Sequence, residues 1–150
     1  MIRDRVGLGV YAGVVAAAAT TGTLIGFGRA RGEAWHPLNA VGHLLLGYRA
    51  RLMDRFDPLV TPVGIALHVL CVVIWGVLFA VVAGRLRGWR LAGAAAALGA
   101  AALVIDTRLL PDRLDPGFSS LLSGPELIAV YAVLAVALAI GVRLASTSAS

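Results

Sequence analysis

Four stretches of mostly apolar residues determine what this chain can fold into. They cover residues 6–27, 62–84, 91–110 and 125–144, approximately. A helix that crosses the hydrocarbon core of a bilayer needs roughly 20 such residues, and each stretch meets that length. The sequence therefore predicts an all-α integral membrane protein, a bundle of four transmembrane helices that forms a single domain of 150 residues.

The composition agrees with a membrane-embedded chain. Apolar residues make up 59% of the sequence and charged residues 14%, whereas a soluble domain carries about 25% charged residues. The net charge is +5, and every basic residue is Arg. These Arg residues flank the apolar stretches, which is where membrane anchors and topology signals lie. We therefore expect the lipid bilayer as a partner and no nucleic acid.

The absence of Lys and the excess of Ala, Gly, Val and Leu are typical of a GC-rich bacterial genome, so we expect a multi-pass protein of the bacterial inner membrane. Its orientation depends on the distribution of Arg. Six Arg lie on the side of the termini and of the 85–90 turn, and seven lie on the other side. Arg3, Arg5 and the absence of acidic residues from that turn favour cytoplasmic termini.

The connection between the first two predicted spans carries a helical pattern of its own. Its apolar residues recur at intervals of three and four: Leu38, Val41, Leu45, Tyr48, Leu52 and Phe56. Such spacing produces one apolar stripe along a helix. Pro37 precedes the stripe, Pro58 follows it, and three Arg residues lie on its other sides. We predict an amphipathic helix over about 38–56 that lies at the membrane interface.

Residues at the predicted helix ends match known capping patterns. Thr61 and Pro62 predict a hydroxyl N-cap followed by proline at the first helical position. Ser123 and Glu126 have the spacing of a capping box, in which both side chains accept backbone N–H groups at a helix start. Pro111 is expected to end the third span, because proline does not continue a helix easily.

Small residues recur every four positions in the predicted spans and form three rows: Gly9, Gly13 and Ala17; Gly22 and Gly26; Gly76, Ala80 and Gly84. In lipid, small side chains allow helices to approach closely and to pack by van der Waals contact. The third span consists almost entirely of Ala and Gly over residues 92–102. Such a helix gains little from contact with lipid, so we expect it to lie against protein.

Two side chains that can carry a charge near neutral pH lie at least four residues from the ends of predicted spans, where charged groups are costly and are functional candidates by default. His68 lies near the start of the second span, and Asp106 lies near the end of the third. Because the second span begins on the side where the third ends, both residues lie at similar depth in one leaflet. An unpaired charge there costs on the order of a few kcal/mol, so we predict that the His68 and Asp106 side chains lie close together.

The same topology gathers further polar residues on this side of the membrane. The candidates for a ligand site or a proton site are Asn39, His43, His68, Asp106 and Glu126. Each also has a structural interpretation. Glu126 fits a capping box, Asp106 fits an ion pair with a nearby Arg, and His68 fits a hydrogen bond to a backbone carbonyl. Asn39 and His43 are i, i+4 neighbours that can bond to each other.

Histidine and carboxylate side chains also raise the alternative of a metal or haem site. His43 and His68 come from different elements, as bis-histidine haem ligation requires, and a carboxylate can complete or orient the ligands. No H-x-x-x-H or H-E-x-x-H spacing is present. No cofactor is therefore predicted, and haem or a transition metal stays an alternative with these two histidines as ligands. Because nucleophile motifs and phosphate-binding glycine loops are also absent from the sequence, an enzyme is not the favoured class.

A family resemblance is carried by three segments: WHPLNAVGHLLLG (35–47), GIALHVLCVVIWGVLFA (64–80) and LLPDRLDPGFSSLLSGPELIAVYAVLA (109–135). They are similar to small four-span bacterial membrane proteins of unknown function, some of which carry a symporter-like name. The resemblance implies the four-span architecture and no activity, and a chain of 150 residues is too short for a large symporter fold. It draws attention to nine residues: Asn39, His43, His68, Trp75, Asp106, Pro116, Gly117, Phe118 and Tyr131.

These observations favour a binding or accessory role over catalysis. The small-residue rows exceed what one compact monomer needs. The first expectation is therefore an accessory or structural subunit of a membrane assembly, in contact with other membrane proteins or with copies of itself. One alternative is a component of a small oligomeric transporter or channel. The other is a metal-binding or haem-binding membrane protein that uses the His and Asp side chains of one leaflet.

Overall fold

The computed structural model describes residues 2–147, and every regular element in that part of the chain is helical. Four long helices match the four predicted spans and are long and apolar enough to cross a membrane, which confirms the predicted four-helix bundle. A shorter helix lies between the first two, as predicted. The helices are α1 (Ile2–Ala30), α2 (His36–Leu46), α3 (Val60–Ala83), α4 (Gly88–Val104) and α5 (Gly124–Thr147).

The four long helices are arranged in the order α3, α1, α5, α4. α1 packs along both α3 and α5, and α5 packs along α4. α3 and α4 follow each other in sequence across a short turn, yet they hardly touch. The bundle is therefore open between α3 and α4.

The contact between α1 and α3 depends on glycine. A Cβ atom on Gly13 would lie 2.6 Å from the Cα atom of Val73, and a Cβ atom on Gly76 would lie 2.6 Å from the Cα atom of Gly13. Only glycine permits such a close approach of two backbones. This confirms the predicted packing for the rows that contain Gly13 and Gly76. Gly22 and Gly26 instead face open space, so their row packs against nothing in the described chain.

α4 does not follow the expectation that its small residues lie against protein. Only 22% of its most apolar window is buried, the smallest share among the four long helices, and Ala92, Ala96 and Ala100 are exposed. Gly99 is an exception, because a Cβ atom there would lie 2.8 Å from the carbonyl oxygen of Tyr131 on α5. This close approach joins α4 to α5 and leaves the opposite surface of α4 uncovered by the described chain.

The helix between the first two spans is shorter than the predicted 38–56 segment. α2 ends at Leu46, and Gly47 follows with a φ of +81°, a left-handed conformation that favours glycine. A 3₁₀ turn at Tyr48–Leu52 and an irregular stretch then lead to α3. Residues 37–43 are buried. The later members of the apolar stripe are exposed: Leu45, Tyr48, Leu52 and Phe56.

Asp57, and not Thr61, caps the start of α3. The Asp57 carboxylate accepts the backbone N–H groups of Leu59 and Val60, each at 2.8 Å, and these bonds hold the pKa of Asp57 below its usual value. Thr61, the predicted N-cap, lies in the first turn, and its hydroxyl donates to the Asn39 side chain at 2.7 Å. Capping rules did not predict this bond because they describe only local partners.

Candidate functional site

A cavity of about 270 Å³ lies on the open side of the bundle between α3 and α4. It is lined by α3, by the π turn that follows α4, by the loop before α5 and by α5, with smaller contributions from α1 and α2. Residues of α3 line it from His68 to Leu78, and ten residues of an α-helix rise by about 15 Å, so the cavity is elongated along that helix. Its walls are mostly apolar. Among the hydrogen-bonding side chains that line it are Thr20, His68, Asp106 and Tyr131. An apolar cavity with a few convergent polar groups is the usual form of a small-molecule site.

His68 is only 5% exposed and is held in place from two sides. Its Nε2 atom lies 2.9 Å from the hydroxyl oxygen of Thr20 on α1, and that oxygen lies 2.9 Å from the carbonyl oxygen of Ala16. Phe118 makes an edge contact with the imidazole, with ring centroids 6.2 Å apart. α1 and the loop before α5 thus fix the orientation of the imidazole ring.

The second ring nitrogen of His68 is open. Nδ1 has no hydrogen-bond partner within residues 2–147, where Thr20 is the only side chain bonded to the ring. Every fully enclosed side-chain nitrogen or oxygen in that part of the chain has a partner. Nδ1 is therefore not fully enclosed, and the accessible space that His68 lines is the cavity.

Asp106 lines the same cavity from the end of α4. There the helix widens into a π turn at Ile105–Leu109, in which the Leu110 N–H donates to the Ile105 carbonyl at 3.0 Å. Such turns are rare and are often found at functional sites. Oδ2 of Asp106 accepts the hydroxyl of Tyr131 at 2.8 Å. Oδ1 has no hydrogen bond or ion pair within the described residues.

The predicted close pair of His68 and Asp106 is not formed as a direct bond. His68 bonds to Thr20, and Asp106 bonds to Tyr131. The alternative ion pair between Asp106 and a nearby Arg is also absent from the described residues. Similar depth brings both side chains to one cavity, as the topology suggests, but a different neighbour holds each of them.

Asn39 belongs to a separate cluster, the Asn39 clamp, which consists of Asn39, Thr61 and the backbone carbonyls of Met53 and Arg55. Asn39 is fully buried. Its amide nitrogen donates to the Met53 carbonyl at 2.9 Å and to the Arg55 carbonyl at 2.7 Å, and its amide oxygen accepts the Thr61 hydroxyl. The clamp therefore pins the chain between α2 and α3, and Asn39 has no exposed atom for a ligand.

His43 is bonded to backbone and lies apart from His68. Its Nδ1 atom lies 2.6 Å from the carbonyl oxygen of Ala40, and its Nε2 atom lies 3.4 Å from that of Asp112. It borders a second cavity of about 970 Å³, with more polar walls than the first, that His68 does not line. The two histidines therefore do not converge as bis-histidine ligation requires. Across the described residues, no three His, Cys, Asp or Glu side chains are grouped as metal ligands.

The loop before α5 is tied to the 3₁₀ turn that follows α2. Arg51 of that turn pairs with Asp115 at 3.2 Å, and the Asp115 carboxylate also accepts the N–H of Gly117, which has a φ of +82°. These bonds shape the loop so that Phe118, the next residue, contacts the His68 ring. The loop therefore closes one end of the cavity between α3 and α4.

Glu126 lies at the start of α5 and lines neither of these two cavities. Its carboxylate accepts the backbone N–H of Ser123 at 2.8 Å and the Ser123 hydroxyl at 2.7 Å. It also pairs with Arg31, which follows α1. The carboxylate half of the predicted capping box is thus present, whereas the Ser123 hydroxyl donates to Glu126 and does not accept from the helix. Glu126 caps α5 and ties its start to the end of α1.

Thr20 and Tyr131, which hold His68 and Asp106 by hydrogen bonds, lie outside the set of site candidates that the sequence predicts. Thr20 gives no sequence signal, because a Thr hydroxyl in an apolar helix usually bonds to its own backbone. Tyr131 is one of the residues to which the family resemblance draws attention, and its hydroxyl within an apolar span is a signal that could have found it. Both were missed because each acts by holding another side chain.

Comparison with known proteins does not assign the chain to a family. The chain matches no family model, no curated protein and no solved structure. The resemblance carried by its three segments therefore stays a prediction.

Proposed function

We propose that the protein binds a small membrane-soluble molecule in the cavity between α3 and α4. The observation that carries this proposal is a cavity with mostly apolar walls and two polar atoms, His68 Nδ1 and Asp106 Oδ1, that have no partner in the described chain. A polar atom left unpaired in an apolar site raises the free energy by about 1–3 kcal/mol. A ligand that bonds to both atoms recovers that free energy.

The route into the cavity leads from the lipid. α3 and α4 hardly touch, and Cys71, Ile74 and Leu78 line the cavity and are also exposed. A molecule dissolved in the bilayer therefore reaches the cavity without crossing a polar surface. At the opposite end, Phe118 and the loop tied by Arg51 cover it.

Extraction of the protein together with its surrounding lipid tests this proposal. A membrane-solubilising copolymer retains both, and mass spectrometry then measures which molecules are enriched relative to the host membrane. Cys71→Phe fills the cavity, whereas Leu70→Phe places the same ring at an exposed neighbouring position that does not line it. We expect one molecule to be enriched with the wild type and with Leu70→Phe and to be lost from Cys71→Phe. Identical extracts from all three would overturn the proposal.

A second candidate function is that of an accessory or structural subunit of a membrane assembly. The exposed Ala and Gly surface of α4 favours it, because such a surface gains more from helix packing than from lipid. In a Cys71→Ser background, a thiol-attached photo-cross-linker on Ala96→Cys is expected to capture a partner in native membranes, and the same reagent on Val82→Cys, on the exposed face of α3, is not. Cross-links between two copies of the chain would favour a small oligomeric transporter or channel, and no cross-link at Ala96→Cys would contradict both.

We also propose that the protein lies in the bacterial inner membrane with both termini in the cytoplasm. Arg3, Arg5 and the acid-free turn at 85–90 support this orientation. In the Cys71→Ser background, Arg87→Cys is expected to react with a membrane-impermeant thiol reagent only after the cells are opened. Labelling of Arg87→Cys from the periplasmic side would reverse the orientation.

A further inference from the structure

Hydrogen-bond donors and acceptors can be assigned around His68. The Thr20 hydroxyl has one hydrogen, and two acceptors lie 2.9 Å from its oxygen, the Ala16 carbonyl and His68 Nε2. When that hydrogen goes to Ala16, the usual bond of a Thr in a helix, the Nε2–H of neutral His68 donates to Thr20 and both hydrogens are paired. The opposite assignment leaves an unpaired N–H on Nδ1. We therefore assign a lone pair to Nδ1.

Asp106 adds a second acceptor to the lining of the same cavity. Tyr131 donates its single hydroxyl hydrogen to Oδ2, which leaves Oδ1 free to accept. No Arg or His within the described residues forms an ion pair with this carboxylate. The indole N–H of Trp75 belongs to a residue seven positions along α3 from His68, about two helical turns away. His68 and Asp106 therefore each present a hydrogen-bond acceptor to a ligand.

We infer that the bound molecule is an amphiphile whose polar end is a hydrogen-bond donor, a hydroxyl or an ammonium group, directed at His68 Nδ1 and Asp106 Oδ1. This inference rests on the proposed function. An ammonium group has three donor hydrogens, enough for both acceptors, and it supplies the positive charge that Asp106 lacks within the described chain. A hydroxyl group has one donor hydrogen, which pairs with one acceptor at a time.

The same geometry excludes other polar ends. An ether has only lone pairs, which would face the lone pairs of His68 and Asp106 without a hydrogen between them. A carboxylate adds like charge to that clash. Selectivity of this kind arises from unfavourable contacts with the wrong ligand as much as from favourable contacts with the right one.

The apolar walls of the cavity indicate the chemistry of the rest of the ligand. Val72, Trp75 and Leu78 of α3 line the cavity beyond His68, and Leu134 of α5 is also a wall residue. Since these side chains are apolar apart from the indole N–H, they favour an alkyl or isoprenoid chain. The cavity follows α3 for about 15 Å, so the chain of the ligand lies along that helix and continues towards the lipid.

A tryptophan reporter provides the test. Trp75 lines the cavity, whereas Trp35 packs against Phe56 and Trp89 is 80% exposed. A protein with Trp35→Phe and Trp89→Phe therefore reports on the cavity through one indole. In lipid nanodiscs, this protein is titrated with four probes of equal chain length: octylamine, 1-octanol, methyl octyl ether and octanoate. The saturable change in Trp75 fluorescence measures the affinity of each probe.

Octylamine and octanol are expected to bind about tenfold more tightly than the ether, the factor that loss of one good hydrogen bond produces. Octanoate is expected to bind most weakly. Asp106→Asn keeps the shape of the side chain and removes its charge. A tenfold loss of octylamine affinity in this variant, with octanol nearly unchanged, would identify an ammonium end in the natural ligand. Equal affinities for octylamine and octanol in both proteins would identify a hydroxyl end.

His68→Gln tests the other acceptor. Its amide reaches the position of Nε2 and keeps Thr20 as a partner, but it has no atom at the position of Nδ1. Octylamine affinity is therefore expected to fall about tenfold in His68→Gln, because the ammonium group loses one of its two acceptors, and to stay unchanged in Leu70→Phe. An unchanged octylamine affinity in His68→Gln would remove Nδ1 from the inference.

The possible failures are distinguishable. An ether or octanoate that binds as tightly as octanol would overturn the donor inference and leave the proposed function standing. Absence of any saturable signal, or a signal that Cys71→Phe leaves unchanged, would overturn the proposed function itself. The comparison among the four probes uses one protein with an unaltered cavity, so it does not depend on whether any cavity variant folds.

Discussion

The Asn39 clamp and the cavity between α3 and α4 both contain a cluster of polar side chains inside an apolar bundle. The two clusters differ in whether all of their polar atoms have hydrogen-bond partners. In the clamp, Asn39 donates to two backbone carbonyls and accepts the Thr61 hydroxyl. In the cavity, His68 and Asp106 each form a hydrogen bond with one neighbouring side chain and each keep one polar atom unpaired. A complete cluster fixes a conformation, whereas an incomplete cluster is ready to receive another molecule.

Helix packing explains the difference between the two clusters. The clamp lies where α2 packs directly on α3, so closely that a Cβ atom on Gly64 would overlap the Leu38 carbonyl. The cavity lies where α3 and α4 hardly touch. Close packing leaves no space for water or ligand, so every polar atom must find a partner within the chain. We therefore expect substitutions in the clamp to lower stability and substitutions in the cavity to lower binding.

Asn39→Ala is expected to have the largest effect, a loss of about 3 kcal/mol in the free energy of unfolding. The change leaves the Thr61 hydroxyl and the backbone carbonyls of Met53 and Arg55 without this partner. His68→Gln is the matched change in the cavity, and its expected loss is below about 1 kcal/mol because Thr20 keeps a partner. Chemical denaturation in detergent, followed by circular dichroism, measures both. Equal losses would remove the distinction between the two clusters.

Tyr131→Phe is expected to weaken octylamine binding about fivefold and to change the unfolding free energy by less than about 1 kcal/mol. The Tyr131 hydroxyl donates to Asp106, so its loss lets the carboxylate turn away from the cavity. Tyr11→Phe is the matched control, because Tyr11 is exposed on α1 and does not line the cavity. Titration of Trp75 fluorescence measures the affinities. Wild-type affinity in Tyr131→Phe would mean that Asp106 is positioned without this bond.

The double-mutant cycle of His68→Gln and Asp106→Asn tests whether the two side chains are coupled through a shared ligand and not through each other. Because the two side chains bond to separate neighbours, their effects on the unfolding free energy are expected to add within about 0.5 kcal/mol. Their effects on octylamine affinity are expected not to add, because one ligand head contacts both. Additive changes in affinity would argue against a shared ligand. A coupling above about 1 kcal/mol in the ligand-free protein would instead indicate direct contact.

The sequence predicts the four membrane helices well, because a long apolar stretch is a local signal. It does not predict that α3 and α4 separate, since hydropathy describes each helix alone. Gly13 and Gly22 illustrate the reason. Both belong to rows with the same spacing on α1, but Gly13 packs against α3 and Gly22 faces open space. Which small-residue surface meets another helix depends on the whole bundle.

The candidate site is predictable only in part for the same reason. Depth in the membrane brings His68 and Asp106 to one cavity, but their partners lie 48 and 25 residues away in sequence. Asn39 is a ligand candidate by its polarity. In the structure, its side-chain amide instead donates to the backbone carbonyls of Met53 and Arg55. The chemistry of a side chain can be read from the sequence. Which of its polar atoms lack a hydrogen-bond partner can be identified only after the packing is known.

The smallest predicted effect is that of a substitution at Asp57, which lies beside the Asn39 clamp. Its N–H donates to Thr61 at 3.0 Å, and its carboxylate accepts the backbone N–H groups of Leu59 and Val60. These bonds lower the pKa of Asp57 in the folded protein. The carboxylate therefore contributes stability above its unfolded pKa of about 3.9, and this contribution is lost as the pH falls through the lower folded pKa.

Asp57→Asn isolates this contribution, because Asn also caps a helix but does not titrate. At neutral pH the wild type is expected to melt slightly above the variant, since a negative charge at a helix start is favourable. That difference is expected to shrink as the pH falls below about 4, whereas other carboxylates titrate equally in both proteins. Thermal melts of the two proteins at matched pH measure this difference.

Octylamine affinity should stay equal in the two proteins at neutral pH, because the clamp and the cavity share no polar contact. A constant melting difference down to about pH 3 would mean that Asp57 caps α3 without its charge, and a change in affinity would mean that the clamp and the cavity are coupled.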